Sequence, residues 1–320
     1  MSPVALLKNV SSIVRSRAFL WSSTRTVSVW KAATHSAVPL AYSSVESDGS
    51  DAAFEPPIII MHGLLGSKRN WATLARDIHF RTGRKVVTVD ARNHGESPHS
   101  PRMDYYVMAG DVAALMAEME IPEAVLVGHS MGGRAMMMLA LQEQPSLVDS
   151  LFVVDISPCN RTYPQGQTQL MDFLRALDMV DTDSLPPSLG NARKELDAFL
   201  AKTVKNQTIR QFMLTNLVEQ GNSLRWRMNL KALILNFEEN LAKFPACDVG
   251  SSYSGPTYFI SGENSDYLLE EDVPKILEIF PAAEFRVVEG AGHWVHHDQP
   301  DEFLDTFISL LQTRSQKVTA

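Results

Sequence analysis

The segment centred on Ser130 constrains the fold more than any other part of the sequence. It reads G-x-S-x-G, follows a buried-type apolar run at 124–128, and precedes a helical pattern at 131–142. A strand that turns into a helix at a serine needs so sharp a turn that the residues two before and two after it must lack side chains. The serine oxygen is then exposed above a sheet, at the positive end of a helix dipole. The segment therefore predicts a parallel-sheet α/β fold with Ser130 as a nucleophile.

The rest of the chain supports that sheet. Apolar, β-branched runs alternate with stretches of helical period, which is typical of a doubly wound, mostly parallel sheet with helices on both faces. Strands are expected at 57–61, 85–90, 124–128, 151–154, 257–261 and 284–288, and helices at 104–120, 131–142 and 302–311.

About ninety residues interrupt this alternation. The segment 159–250 contains helical periods at 170–177, 194–200 and 230–244. An insertion after the carboxyl end of a strand lies over the crevice where open α/β sheets bind ligands, so we expect an inserted helical lid. The core would then comprise 46–158 and 251–314, with a tail at 315–320.

Chain order selects the partners of the serine. In folds with a serine at such a turn, the base follows the last strand, and His293 lies there in a loop of small residues. The loop 62–66 is expected to provide the second oxyanion donor, so that the backbone N–H groups of Leu64 and Met131 would bind the oxyanion. No metal ion and no cofactor is expected.

The acid of the triad is left open by the residues themselves. The loop after the fifth predicted strand contains Asp266, which is the default choice. Asp155 also ends a strand at the same edge of the sheet and lies between nucleophile and base in the chain. Either carboxylate could orient the histidine.

Composition and charge narrow the classes of function. The net charge of −8 gives no basic surplus for nucleic acid, and two cysteines fit neither a metal spacing nor a disulfide framework. No apolar run is long enough to span a membrane. The first 45 residues, in contrast, contain basic residues, many serines and no acid, with apolar residues at roughly helical spacing. This pattern predicts a mitochondrial transit peptide.

Together these segments resemble the α/β-hydrolase domain-containing protein eleven family and the small bacterial esterases similar to it. The resemblance covers about residues 39–311. Its motifs lie at 62–67, 90–97, 128–133, 155–158, 215–217 and 290–296.

The resemblance implies an α/β-hydrolase fold and a serine esterase or lipase acting on diacylglycerol and other acyl esters. It also implies a location in the mitochondrial matrix and an association with the 2-oxoglutarate dehydrogenase complex. In the similar bacterial esterases the acid comes from the position of Asp155, with a serine at the position of Ser265 nearby, so the resemblance favours Asp155 over Asp266. The alternative function is a non-catalytic partner that keeps the fold and protects such a complex.

Overall fold

The computed structural model describes residues 36–47, 55–142, 145–160, 166–245 and 251–319. The predicted targeting segment up to residue 35 lies outside the described residues. So do 161–165 and 246–250, at the two ends of the expected lid.

A seven-stranded sheet forms the centre of the molecule. Its order is β1-β3-β2-β4-β5-β8-β9, with β1 antiparallel to β3 and all other neighbours parallel. This is the doubly wound, mostly parallel sheet that the sequence predicts. The strands in the described residues are β1 (Tyr42–Val45), β2 (Ile58–Met61), β3 (Val86–Val89), β4 (Ala124–His129), β5 (Val148–Val154), β6 (Leu217–Gln220), β7 (Ser223–Trp226), β8 (Thr257–Gly262) and β9 (Ala283–Val288).

Helices cover both faces of the sheet. Helices α1 and α10 pack on one face, and α2, α3 and α8 pack on the other together with the lid. None of the helices in the described ranges has the length and apolar character that a membrane crossing demands. The helices are α1 (Ala72–Thr82), α2 (Tyr105–Glu118), α3 (Met131–Leu141), α4 (Gly166–Asp178), α5 (Leu189–Leu200), α6 (Gln207–Leu214), α7 (Leu230–Asn236), α8 (Val273–Ile279), α9 (Val295–Asp298) and α10 (Pro300–Thr319).

The central strands are mostly apolar because both of their faces are covered. In β2, Ile58 and Ile60 pack against the layer of α1 and α10, whereas Ile59 and Met61 pack against the opposite layer. Successive side chains of a strand point to opposite faces, so a strand between two helical layers favours apolar residues at every position. The carboxyl ends of these strands meet at one edge of the sheet.

The start of the sheet differs from the expectation. Strand β1 lies inside the segment 1–45 that was assigned to the transit peptide, and Leu40 before it is buried. Its sequence gives no strand pattern, because three of its four residues are exposed, and pairing with β3 holds it in place. The core therefore begins before residue 46. Helix α1 was also missed, and α10 continues to Thr319 through most of the expected tail.

The lid contains more than helices. Its described part, 166–245, has helices α4 to α7, but β6 and β7 form an antiparallel hairpin between α6 and α7. The sequence predicts helices in the lid but does not predict this hairpin. The turn is formed at Gly221, whose φ of 61° suits glycine, and each strand has only four residues. So short an alternation is easily missed in the sequence.

Candidate active site

The turn at Ser130 requires glycine on both sides. Ser130 has φ 52° and ψ −116°, between the end of β4 and the start of α3. A Cβ atom on Gly128 would lie 2.3 Å from the carbonyl oxygen of Gly132, and one on Gly132 would lie 2.4 Å from that of Met61. The backbone therefore packs too closely for any other residue, and the serine is held at the edge of the sheet in a conformation that only a tight turn imposes.

His293 lies on the loop after β9 and contacts both other members of the expected triad. Its Nε2 is 3.1 Å from the Oγ of Ser130, and its Nδ1 is 2.7 Å from the Oδ2 of Asp155. The Tyr267 ring stacks on the imidazole with 3.7 Å between ring centres. His129, the last residue of β4, binds the backbone carbonyl of His293 through Nε2 at 2.8 Å. The imidazole is thus fixed in position and in orientation.

Asp155 is fully buried at the end of β5, with φ 52°. Its Oδ1 accepts the backbone N–H of Gly262 at 3.0 Å, and its Oδ2 accepts the hydroxyl of Ser265 at 2.5 Å as well as the His293 bond. A carboxylate is an acceptor, so Nδ1 of His293 has the proton and Nε2 is free to accept the hydroxyl of Ser130. This is the tautomer that a general base needs.

The other candidate acid, Asp266, lies at the surface. The hydrogen bond from His293 Nδ1 goes to Asp155. Glu263 of the same loop is also exposed and accepts the backbone N–H of Gly290 at 3.0 Å. Of the candidate carboxylates, the structure brings Asp155 to the histidine, and Ser265 lies beside it as the resemblance implied.

The two expected oxyanion donors line the same cavity as Ser130. Leu64 follows β2 and Met131 begins α3. The peptide before Leu64 is fixed by His62, whose Nδ1 binds the carbonyl of Gly63 at 2.7 Å while its Nε2 accepts the N–H of Ala91 at 3.0 Å. Burial lowers the pKa of His62, so it acts as a neutral support for the loop.

Two cavities flank the triad. The one at Ser130 is small and mostly apolar, and the lid closes it with Leu170, Phe237 and Leu241. The second, of about 620 Å³, lies between His293, the loop at Leu64 and helix α6 of the lid. An ester whose carbonyl carbon lies at Ser130 could place its acyl group in the first cavity and its alcohol in the second.

Several residues of the site were not predicted for their roles. The ring of Tyr267 and the N–H of Gly262 support His293 and Asp155, but no sequence motif marks either of them. The turn at 90–97 is anchored by a buried ion pair in which Nζ of Lys68 lies 2.6 Å from Oδ2 of Asp90. That pair holds the end of β3 against the loop after β2.

Comparison with known proteins gives the family. The model for the alpha/beta hydrolase fold matches residues 56–300. The chain belongs to the α/β-hydrolase fold family. Within it, the chain is 43% identical over 274 residues to the sn-1-specific diacylglycerol lipase ABHD11 of Mus musculus, covering 86% of this chain and 85% of that protein. It is 41% identical over 279 residues to the protein of the same name from Danio rerio, covering 87% and 84%.

A solved structure agrees with these relatives. The structure of a marine microorganism esterase superposes with a TM-score of 0.76 at 30% identity, over 86% of this chain and all of that one. The resemblance to the α/β-hydrolase domain-containing protein eleven family is thereby confirmed. The chain is a carboxylic ester hydrolase.

Proposed function

We propose that the chain hydrolyses lipid acyl esters through an acyl-enzyme on Ser130. The observation that supports this most directly is the unbroken hydrogen-bond chain from Ser130 through His293 to the buried Asp155. In the first step the serine oxygen attacks the ester carbonyl while its proton passes to Nε2 of His293. The backbone N–H groups of Leu64 and Met131 stabilise the oxyanion that forms.

The alcohol then leaves with the proton from His293. In the second step water gives a proton to Nε2, attacks the acyl carbonyl and releases the acid, which restores the hydroxyl of Ser130. Asp155 stays ionised and stabilises the imidazolium in both steps. The side chain of Ser265 and the N–H of Gly262 satisfy the remaining acceptor sites of this carboxylate.

The lining of the site suits a lipid substrate. The cavity at Ser130 is lined mainly by apolar side chains, among them Ile156, Leu170 and Phe237, as an acyl chain requires. The larger cavity beside His293 has space for a bulky alcohol. Relatives named sn-1-specific diacylglycerol lipase add weight to diacylglycerol as the substrate.

A fluorophosphonate probe tests the chemistry. Wild type should be labelled and Ser130→Ala should not, while Ser223→Ala in the lid hairpin serves as a serine control and should label as wild type. Labelling of Ser130→Ala would overturn the nucleophile. A panel of diacylglycerols, thioesters and short aryl esters then tests the substrate: turnover of aryl esters alone would refute the lipid assignment and leave the serine chemistry standing.

Location and partner are further proposals that rest on the sequence. We propose import into the mitochondrial matrix and association with the 2-oxoglutarate dehydrogenase complex, on the basis of the N-terminal composition and the family resemblance. A reporter fused to residues 1–45 should enter mitochondria, and a cytosolic reporter would contradict the targeting. Rescue of a deletion phenotype by Ser130→Ala, at normal protein level, would favour the non-catalytic protective role instead.

A further inference from the structure

The loop that presents Leu64 is held by buried polar side chains beyond His62. Two of them, His94 and Asn216, have no part in the proton transfers described above. Both bind Leu65, the residue that follows the oxyanion donor.

His94 binds the next peptide of the loop from the core side. Its Nε2 accepts the backbone N–H of Leu65 at 3.1 Å, and its Nδ1 bonds the carbonyl of Arg92 at 3.0 Å. A carbonyl only accepts, so Nδ1 has the proton and Nε2 is the acceptor. Burial lowers the pKa of His94 to about 3, which keeps the ring neutral and this acceptor available at neutral pH.

Asn216 binds the same residue from the lid side. Its Nδ2 donates to the carbonyl oxygen of Leu65 at 2.8 Å, and the side chain is buried. The backbone of Asn216 is itself fixed, since its N–H donates to Met213 at 3.1 Å and its carbonyl accepts from Arg227 at 2.8 Å. The lid is thereby hydrogen-bonded directly to the oxyanion loop.

The geometry of the loop makes these bonds important. Leu65 has φ 61°, a conformation that a leucine adopts only when its surroundings impose it. Peptide units are planar, so the carbonyl of Gly63 and the N–H of Leu64 turn as one body. His62 fixes that plane and His94 fixes the following one, which leaves the Leu64 N–H little freedom.

We propose that His94 and Asn216 are positioning residues that hold the Leu64 N–H in its oxyanion-binding orientation, one from the core and one from the lid. The inference rests on the proposed function, because it concerns the oxyanion donor of that reaction. It adds that the seating of the lid and the geometry of the oxyanion hole are coupled through the hydrogen bond from Asn216 to the carbonyl of Leu65.

Two substitutions at His94 separate positioning from packing. His94→Gln keeps an acceptor near the position of Nε2, whereas His94→Asn keeps only a group near Nδ1. We expect His94→Asn to lower kcat by roughly ten- to a hundredfold with KM changed less than about threefold, since loss of a whole oxyanion donor costs about 10² to 10³. His94→Gln should recover most of the rate.

The affinity for a trifluoromethyl ketone gives a second measure of how well the oxyanion donors are positioned. The ketone adds the oxygen of Ser130, the proton passes to His293, and the resulting alkoxide is bound by the oxyanion donors. Its affinity should fall in step with kcat/KM in His94→Asn and in Asn216→Leu. His79→Asn is the matched control, because Nδ1 of His79 also bonds a backbone carbonyl, whereas its Nε2 bonds the hydroxyl of Ser47 and the residue lies on α1.

The outcomes divide clearly. Wild-type turnover in His94→Asn and Asn216→Leu, or a loss of kcat with unchanged ketone affinity, would overturn the positioning role. Equal losses in His94→Asn and His94→Gln, accompanied by a matching drop in melting temperature, would make the effect one of packing and overturn it as well. Failure of the proposed function is seen separately, as fluorophosphonate labelling that does not depend on Ser130.

Discussion

The sheet core and the lid are stabilised in different ways. Every residue of β2, β4 and β5 is buried, whereas a lid helix such as α5 buries one face with Ala192, Leu196 and Leu200. Large apolar side chains are exposed in both regions, at Met179 and Leu235 in the lid and at Tyr42 and Phe80 in the core. The central strands of the core are fully enclosed, whereas the lid is a cover with one apolar side.

The two regions contribute different parts of the site: the core provides the proposed triad residues, and the lid provides cavity walls. Ser130 and Asp155, the nucleophile and the acid of the proposed mechanism, both have a positive φ, which neighbouring strands enforce. The lid supplies cavity walls, including Leu170 and Phe237, and the bond from Asn216. We therefore expect substitutions in the core to change the rate of the chemical step, and most substitutions in the lid to change the choice of substrate.

The largest effect is expected at the carboxylate of the core. Asp155→Asn keeps the size of the side chain but favours the wrong imidazole tautomer. The same change of the triad aspartate in a serine protease lowers kcat by about 10⁴. Asp266→Asn, at an exposed carboxylate of the neighbouring loop, is the control and should stay within about twofold of wild type. Steady-state kinetics on a soluble ester measure both variants. The reverse ranking would assign the acid to Asp266.

A glycine substitution compares the two regions directly. Gly132→Ala would force a Cβ atom to within 2.4 Å of the Met61 carbonyl, so the turn must shift, and we expect a loss of about a hundredfold or more in probe labelling rate. Gly190→Ala in the lid helix α5 meets only ordinary contact, at 3.9 Å, and should raise the unfolding free energy by up to about 1 kcal/mol. Thermal melts and labelling kinetics separate the two. A fully active Gly132→Ala enzyme would refute the requirement for glycine.

The same division explains how much could be predicted from the sequence. Strands at the core are recognisable because burial on both faces leaves mostly apolar runs, and the serine turn is recognisable because its backbone admits only glycine at Gly128 and Gly132. The position of His293 followed from the order of the strands. The strands and the serine turn are features of local sequence.

Features that depend on tertiary pairing were not predictable in this way. Strand β1 is polar and is held by its partner β3, and the hairpin in the lid is only two four-residue strands. The choice between Asp155 and Asp266 depended on which carboxylate meets an imidazole 138 positions away in the chain, and it was the family resemblance that favoured Asp155. The bonds of Asn216 and His94 to Leu65 join distant segments in the same way.

A lid residue should change specificity with little effect on the chemical step. Leu170→Ala removes a half-buried wall of the cavity at Ser130, so we expect the preference for long over short acyl chains to rise by roughly tenfold, in line with 1 to 3 kcal/mol for small changes in an apolar pocket. The rate of labelling by a small fluorophosphonate should change less than threefold. A series of esters that differ only in acyl length gives the measurement. An unchanged preference would show that the acyl chain lies elsewhere.

The core and the lid also differ in acid stability. The segment 159–250 has no histidine, whereas burial lowers the pKa of His62, His94, His129 and His296 in the core.

Burial lowers the pKa of His296 to about 3, and its ring stacks on Trp71 with 4.1 Å between centres. Its Nδ1 has no hydrogen-bond partner within the described residues. Below about pH 6.5 the unfolded chain binds a proton at this residue, whereas the native state binds it only near pH 3. The free energy of unfolding therefore falls as the pH is lowered through that window.

His296→Phe keeps the ring stack on Trp71 and removes the titrating group. We expect it to reduce the slope of unfolding free energy against pH by up to about 1.4 kcal/mol per pH unit between pH 6 and 4, with no such change above pH 7.5. Urea unfolding at several pH values measures the slope, with Leu196→Ala in the lid as a control that lowers stability equally at every pH. An identical slope in His296→Phe and wild type would mean that the native state binds this proton as readily as the unfolded chain.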